Sequence, residues 1–232
     1  LAELDRQRQL LTEAKLEALN AQINPHFFFN TLNTIISFSR TDPERARKLL
    51  IRLAGMFRQT LNRHGSLTTL RDELECVNTY VSLEKARFGE RFQYIQDVPS
   101  SLLEYRIPVL SLQPLVENSI NHGLLPKEEP GWIKISARLA ANELHLRVSD
   151  NGVGIPQNKI PLVLQPGYGS GSGVGLSNVN LRCQNLYGQN YGLQIFSEPA
   201  GETMILLRIP LSQQPVTVYN EVPLKELLVN EA

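Results

Sequence analysis

Trp132-Ile133-Lys134-Ile135-Ser136-Ala137-Arg138-Leu139, a turn at Ala141-Asn142, and Leu144-His145-Leu146-Arg147-Val148-Ser149-Asp150 are the stretch on which the fold depends. Ile133, Ile135, Ala137 and Leu139 alternate with Trp132, Lys134, Ser136 and Arg138, and Leu144, Leu146 and Val148 alternate with His145, Arg147 and Ser149. Successive strand side chains point to opposite faces, so a period of two predicts a half-buried hairpin. Upstream, residues 92–97 read as a strand and residues 111–123 as a helix. Downstream, residues 156–172 carry Pro, Gly and Ser with little periodicity and read as a long loop, of the kind usually functional or mobile. Residues 175–187 then read as a helix, and residues 191–197 and 202–209 as two last strands around Pro199-Ala200-Gly201.

Before residue 90 the period is helical. Leu4, Leu11, Ala14, Ala18, Leu19, Ile23 and Phe27 predict one long helix over residues 4–39, with Pro25 kinking or loosening it where the ring removes a backbone donor. Asp42 followed by Pro43 predicts a new helix start, with Leu49, Leu50, Leu53, Phe57 and Leu61 as its apolar face, so that two antiparallel helices result. Such helices cannot bury their stripes alone and need a second helix or a second copy of the chain. Residues 63–66 break the pattern. Thr69 then caps a third helix, with Asp72 at the capping-box position and Leu70, Leu74, Val77 and Val81 on one stripe, and Phe88-Gly89 ends it. Helices first and a mixed sheet after predict an α+β protein in two domains, 1–66 and 67–211. A tail follows at 212–232, where residues 224–229 either dock as a short helix or fray.

Composition narrows the function. The 232 residues carry 23 Lys+Arg against 23 Asp+Glu, with 42% apolar and 20% charged residues. That is too apolar and too weakly charged for a disordered chain, and it lacks the basic excess on which wholesale nucleic-acid binding runs. Cys76 and Cys183 have no CxxC or Cys/His spacing and read as reduced thiols with neither disulfide nor zinc. No apolar run approaches the roughly 18 residues of a membrane helix. The segment as given is expected to be soluble, and its start at Leu1 rather than Met suggests a piece of a longer protein.

Three stretches carry chemistry. Asp150-Asn151-Gly152-Val153-Gly154 leaves a strand end; Asn-Gly is a strong turn pair, yet the same glycines let backbone approach a flat ligand while the carboxylate accepts from an exocyclic amine. Gly169, Gly171, Gly173 and Gly175 lead into a helix start, either as a flexible linker or as an anion site at a helix N-terminus. They fit neither the Walker loop nor GxGxxG. On the helix around Leu115-Val116-Glu117-Asn118-Ser119-Ile120-Asn121-His122, the residues Glu117, Asn118 and Asn121 share a polar side, either plainly solvated or suited to Mg²⁺, which takes few protein oxygens and fills its shell with water and phosphate.

In this order the three stretches resemble the N, G1 and G2 boxes of the ATP-binding fold shared by gyrase, MutL and sensor histidine kinases. The resemblance implies a helical dimerisation hairpin followed by a Bergerat-type (GHKL) left-handed α/β sandwich. It implies that Asp150 reads the adenine amine, Gly152, Gly154 and Ile155 line the base pocket, and Asn118 holds Mg²⁺. It implies further that Gly171, Gly173, Val174, Gly175 and Leu176 meet phosphate beneath a lid of residues 156–172, and that Thr203 supports adenine recognition through water. Asn121 and His122 complete the ATP site, with His122 as a hydrogen-bonding partner.

Gln22-Ile23-Asn24-Pro25-His26-Phe27-Phe28-Phe29-Asn30 looks like the phosphoacceptor motif of LytS/YehU-type sensor histidine kinases. The likeness continues through Arg87-Phe88-Gly89-Glu90-Arg91, Gln113-Pro114-Leu115-Val116-Glu117-Asn118 and Leu186-Tyr187-Gly188, and covers roughly residues 15–211. It implies ATP-dependent autophosphorylation of His26, with Gln22 and Asn30 orienting the ring, and transfer of the phosphoryl group to an aspartate of a response regulator. It also implies a homodimer on the cytoplasmic side of the cell membrane, with membrane contact only through segments missing from this chain and no nucleic-acid partner. A free imidazole, with a pKa of about 6.5, is mostly neutral near pH 7 and needs orientation more than activation.

The chain departs from the pattern at three places. Phe27 follows His26 where many histidine kinases have a carboxylate, leaving Glu117 as the candidate assistant. Pro114 stands where ATP-hydrolysing relatives carry a catalytic Glu, which favours transfer to His over hydrolysis. Asn121 stands where related kinases often have Lys, so Arg182 or Lys159 is expected to take over a phosphate contact. His64 in the linker and His145 on the outward strand face are expected to be solvated. Two rivals remain at this stage: an ATPase that drives conformational closure, and an ATP-sensing dimeric scaffold without phosphohistidine.

Overall fold

The computed structural model describes residues 25–61, 65–165, 175–199 and 201–211. The chain divides into two compact units, whose described parts are residues 25–61 and the remainder from residue 65.

In the first unit, helix α1 (Pro25–Thr41) and helix α2 (Pro43–Leu61) meet at Asp42. The Asp42 carboxylate accepts from Arg45 N at 3.0 Å, and Pro43 fills the first helical position, where a missing N–H costs no hydrogen bond. Phe28 near the start of α1 stacks edge-on with Phe57 near the end of α2, with centroids 5.1 Å apart, so the pair is antiparallel as expected. Phe27, Thr31 and Ile35 bury one face of α1, and Ala46, Leu49, Leu53 and Met56 one face of α2. The expected helix before Pro25, with Gln22, lies outside the described residues.

In the second unit, helix α3 (Leu70–Phe88) starts at Thr69, whose side chain accepts from Asp72 N at 3.1 Å, and stops at Gly89, whose φ of 66° suits glycine. Leu70, Leu74, Val77 and Val81 are buried as the stripe predicts. Strands β2 (Phe92–Asp97), β4 (Gly131–Ala140), β5 (Glu143–Asp150), β7 (Thr203–Pro210) and β6 (Leu193–Ser197) make one sheet in the order β2-β4-β5-β7-β6. Strand β2 runs parallel to β4 and the other pairs are antiparallel. Ile133, Ile135, Leu144, Leu146, Val148, Ile205 and Leu207 form its buried face; helix α6 (Leu176–Tyr187) packs on β6, β7 and α4 (Gln113–Asn118), and α3 packs on α4. The Ala141-Asn142 turn takes positive φ at both residues, 49° and 63°, the twist that a two-residue hairpin prefers.

Three expectations change, and one strand pair is added. Strands β1 (Leu67–Thr69) and β3 (Arg106–Pro108) pair as an antiparallel ribbon, too short to show a sequence period. The helix expected over residues 111–123 is α4 followed by a wide π turn, Ser119–Leu124, within which the Gly123 backbone lies against the turn after β5. The expected loop over 156–172 opens with Gln157–Lys159 and a short helix α5, Ile160–Val163, and residues 166–174 lie outside the described residues. His145 is largely covered rather than solvated, with Nε2 3.1 Å from Glu143 Oε2, because the outer sheet face packs its own long side chains over one another.

Candidate functional site

The register of the sheet sets the site. Tyr94, Ile133, Asp150, Thr203 and Ser197 pair in succession across one row of the buried face. Asp150 is 2% exposed, and its Oδ1 accepts from Gly152 N at 2.9 Å. Burial pushes this carboxyl above its ordinary range; the Ser119 hydroxyl and the Gly152 N–H offset part of that, while Glu202 adds to it. A buried carboxylate with so few fixed donors is poised for a donor from a ligand.

Glycines let the backbone close around it. A Cβ on Gly152 would lie 2.4 Å from the Gly123 carbonyl carbon, and one on Gly123 would lie 2.7 Å from Asp150 Oδ1. Val153 N donates to Gly123 O at 3.0 Å, locking the two turns together. Gly154 has φ 74°, which carries the chain on to Ile155. Ile155 N donates to Ser197 Oγ at 2.8 Å, and Ser197 Oγ lies 2.7 Å from Thr203 Oγ1. Thus Asp150, Gly152, Gly154, Ile155 and Thr203 come together at one end of the sheet, with Ser197 and Gly123 as members that sequence reading missed. The glycine straight after His122 was the available signal for Gly123; Ser197 gave none.

The polar edge of α4 is built next to this turn. Leu115 and Ile120 are fully buried, while Glu117, Asn118 and Asn121 are half-buried. Gln113 Nε2 donates to Glu117 Oε1 at 2.8 Å, and Asn121 hydrogen-bonds to the buried Tyr80 side chain. Burial, with the negative charges of Glu117 and Glu84 after it, drives the Tyr80 phenol well above its ordinary range, so it stays protonated. Glu84, 1% exposed, is pushed up to about 7 by burial; Arg87 works against this and Glu117 with it. Among the described residues no group of three or more His, Cys, Asp or Glu could hold a metal. The oxygen donors of Asn118 and its neighbours suit a cation that takes few protein ligands, as Mg²⁺ does.

His122 is exposed on the π turn. Helix α6 begins at Gly175 with no side chain capping it, and Leu176 is buried beneath its first turn. Gly171, Gly173 and Val174 lie outside the described residues. Arg182 Nη1 donates to the Val109 carbonyl and, at 3.5 Å, to Leu110 O. Lys159 is exposed. In the first unit, His26 is exposed, and Asn30 Nδ2 lies 3.0 Å from its Nε2 and 3.3 Å from its Nδ1.

Residues 14–92 match the family model described as histidine kinase, and residues 108–213 match that described as histidine kinase-, DNA gyrase B-, and HSP90-like ATPase. The chain is 39% identical over 206 residues to the sensor histidine kinase BtsS of Escherichia coli (strain K12), covering 89% of this chain and 35% of that protein. It is 38% identical over 219 residues to the sensor protein LytS of Enterococcus faecalis, covering 92% of this chain and 37% of that one. The chain therefore spans little more than a third of the length of these relatives. Among solved structures it is similar to the histidine kinase domain from Erythrobacter litoralis EL346 blue-light activated histidine kinase, at 16% identity and a TM-score of 0.49, covering 93% of this chain and 100% of that one.

Proposed function

The chain belongs to the histidine kinase family, and from that premise we propose that it is the catalytic region of a two-component sensor kinase, which transfers the γ-phosphoryl group of ATP to His26 and then to an aspartate of a response regulator. The observation that carries the reading is the buried Asp150 carboxylate, ringed by the Gly123 and Gly152 backbones and in one row with Thr203 and Ser197. A carboxylate there accepts from the exocyclic amine of adenine, and would face the guanine carbonyl oxygen as acceptor against acceptor. Gly152 and Gly154 give the flat base access, and Ile155 supplies an apolar wall.

Asn118, with Glu117 and Asn121 beside it, would hold Mg²⁺, which supplies charge neutralisation for the phosphates. The first turn of α6 after Gly175 offers N–H groups and the positive end of a helix to them, and Gly171 and Gly173 are assigned to the same site from sequence. The His26 ring nitrogen forms the bond to the γ-phosphorus as the bond to the β,γ-bridging oxygen breaks and ADP leaves. Asn30, one turn along α1, orients the ring, and Gln22 is assigned the same task from sequence. Such transfer depends mainly on positioning and electrostatics.

Phe29, Ile36, Leu50 and Ile51 on α1 and α2 are each about half exposed or more, which supports a homodimer through this hairpin. Among the described residues no helix is long and apolar enough to cross a membrane, and attachment at the cytoplasmic face is assigned to segments outside this chain. His26→Gln tests the reading: calorimetry should find ATP affinity within about twofold of the parent chain, since His26 stands outside the binding unit and each tenfold needs about 1.4 kcal/mol, while phosphate incorporation disappears. Retained labelling would remove His26 from its role.

A further inference from the structure

The turn that launches α4 is held in a conformation it would not choose. Leu110 has φ 55°, in the left-handed region that a side chain with a Cβ disfavours. Three successive N–H groups then converge on one carboxylate: Leu110 N donates to Glu73 Oε1 at 2.9 Å, and Ser111 N and Leu112 N donate to Glu73 Oε2 at 3.0 and 3.1 Å. Alternation of left- and right-handed residues is what makes such an anion nest. Glu73, on the first turn of α3, is fully buried, and its charge sits at the start of α4, where the helix dipole favours it. The carbonyls of the same turn are taken from another side of the fold: Arg182, on α6, donates to Val109 O and Leu110 O.

One four-residue segment, Val109 to Leu112, therefore receives an acid from α3 through its N–H groups and a base from α6 through its carbonyls. It leads straight into Gln113, and one and two turns later come Asn118 and Asn121. We propose that Glu73 and Arg182 are positioning residues that clamp this strained turn and thereby fix the pose in which α4 presents Asn118 and Asn121 to the metal and phosphates, Arg182 acting through the backbone rather than as a phosphate ligand. The proposal rests on the nucleotide-site reading above. It also ties α6, whose first turn faces the phosphates in that reading, to the helix that holds the metal. One guanidinium nitrogen, Nη1, reaches both carbonyls, and the planar group that carries it is aimed there with less freedom than a lysine ammonium on a flexible stem.

The test compares Mg·ATP with ADP in EDTA as calorimetric ligands of the full chain. The second ligand engages the Asp150 pocket on β5 without the metal. If the parent chain binds neither ligand, the nucleotide-site reading fails before the clamp is at issue. Given binding, Arg182→Lys and Glu73→Gln should each weaken Mg·ATP by about tenfold or more, from loss of hydrogen bonds to a charged group. The same variants should leave ADP in EDTA within about threefold, a difference under about 1 kcal/mol. General loss of structure would lower both affinities alike, so equal losses overturn the proposal. So does parent-like Mg·ATP affinity in Arg182→Lys, above all if Arg182→Gln then loses it, since that pattern marks a direct charge contact with phosphate. Circular dichroism checks folding, and should Glu73→Gln fail to fold, Arg182→Lys decides alone.

Discussion

Gly152→Ala should damage both stability and nucleotide binding, and the structure gives the size of the effect. The added Cβ would lie 2.4 Å from the carbonyl carbon of Gly123 and 2.5 Å from its Cα and O, all of them backbone atoms that cannot rotate away. Ordinary van der Waals contact needs 3.4–4 Å, so the two turns must part by about 1 Å. They are held by Val153 N to Gly123 O at 3.0 Å and by Gly152 N to Asp150 Oδ1 at 2.9 Å. Overpacking of this kind costs about 1–3 kcal/mol, and each weakened hydrogen bond adds about 1 kcal/mol, so a loss of about 3 kcal/mol is expected. At about 2–4 °C per kcal/mol for a chain of this size, the melting midpoint should fall by about 10 °C. The folded protein should also lose ATP affinity, because Asp150 Oδ1 loses the donor that fixes it. Gly175→Ala is the matched control for melting alone, since its Cβ meets nothing within 4 Å while its backbone borders the proposed phosphate site. The assay is thermal melting by circular dichroism with calorimetric titration of ATP below the transition. A Gly152→Ala protein that melts within about 1 °C of its parent and binds ATP normally would refute the reasoning, because a shift that small corresponds to well under 1 kcal/mol.

Two other perturbations address separate parts of the site. Asp150→Asn keeps an oxygen for Gly152 N but removes the charge that would receive the adenine amine; about 1.5–3 kcal/mol, or roughly 10- to 100-fold in affinity, should be lost, and unchanged calorimetric affinity would defeat the base assignment. Glu84 is raised in the folded protein from 4.5 to about 7, first by burial. The stability it contributes is therefore fully present below pH 4.5 and is lost as pH rises to about 7, and at about 1.4 kcal/mol per pH unit the change is about 3 kcal/mol. Glu84→Gln should gain on the parent by about that amount between pH 4.5 and pH 8 in urea unfolding, and a pH-independent difference between the two would exclude Glu84 as the source.

The sequence was most informative where local rules act alone. Thr69 caps α3 because its hydroxyl reaches Asp72 N three residues on, and the alternation of Ile133 to Leu139 and Leu144 to Val148 fixes the face of the hairpin without reference to anything distant. Asp150, Gly152 and Gly154 were legible for the same reason, as a strand end followed by glycines. What the sequence concealed depends on chain segments far apart. Glu73 carries no mark of its own in the helix that Thr69 caps, yet its carboxylate serves N–H groups 37 to 39 residues away. Arg182 was one of two candidates, with Lys159, for a phosphate contact, and nothing in the sequence marks that its guanidinium also donates to carbonyls more than 70 residues back. Ser197 joined the site through the pairing of β6 with β7, which alternation within one strand does not specify. The π turn at Ser119–Leu124 escaped because helical periodicity carries no mark of one widened turn.

The proposed reaction draws on both His26 and the Asp150 pocket, and the chemistry of its product can be read directly. The parent chain should be incubated with Mg²⁺ and γ-labelled ATP, the label tested in acid and in base, and the modified residue located by mass spectrometry. A single phosphate on the His26 ring, released in acid and retained in base, is the predicted result. Steady release of free phosphate with no labelled protein, or label that resists acid and maps to a hydroxyl side chain, would contradict the account.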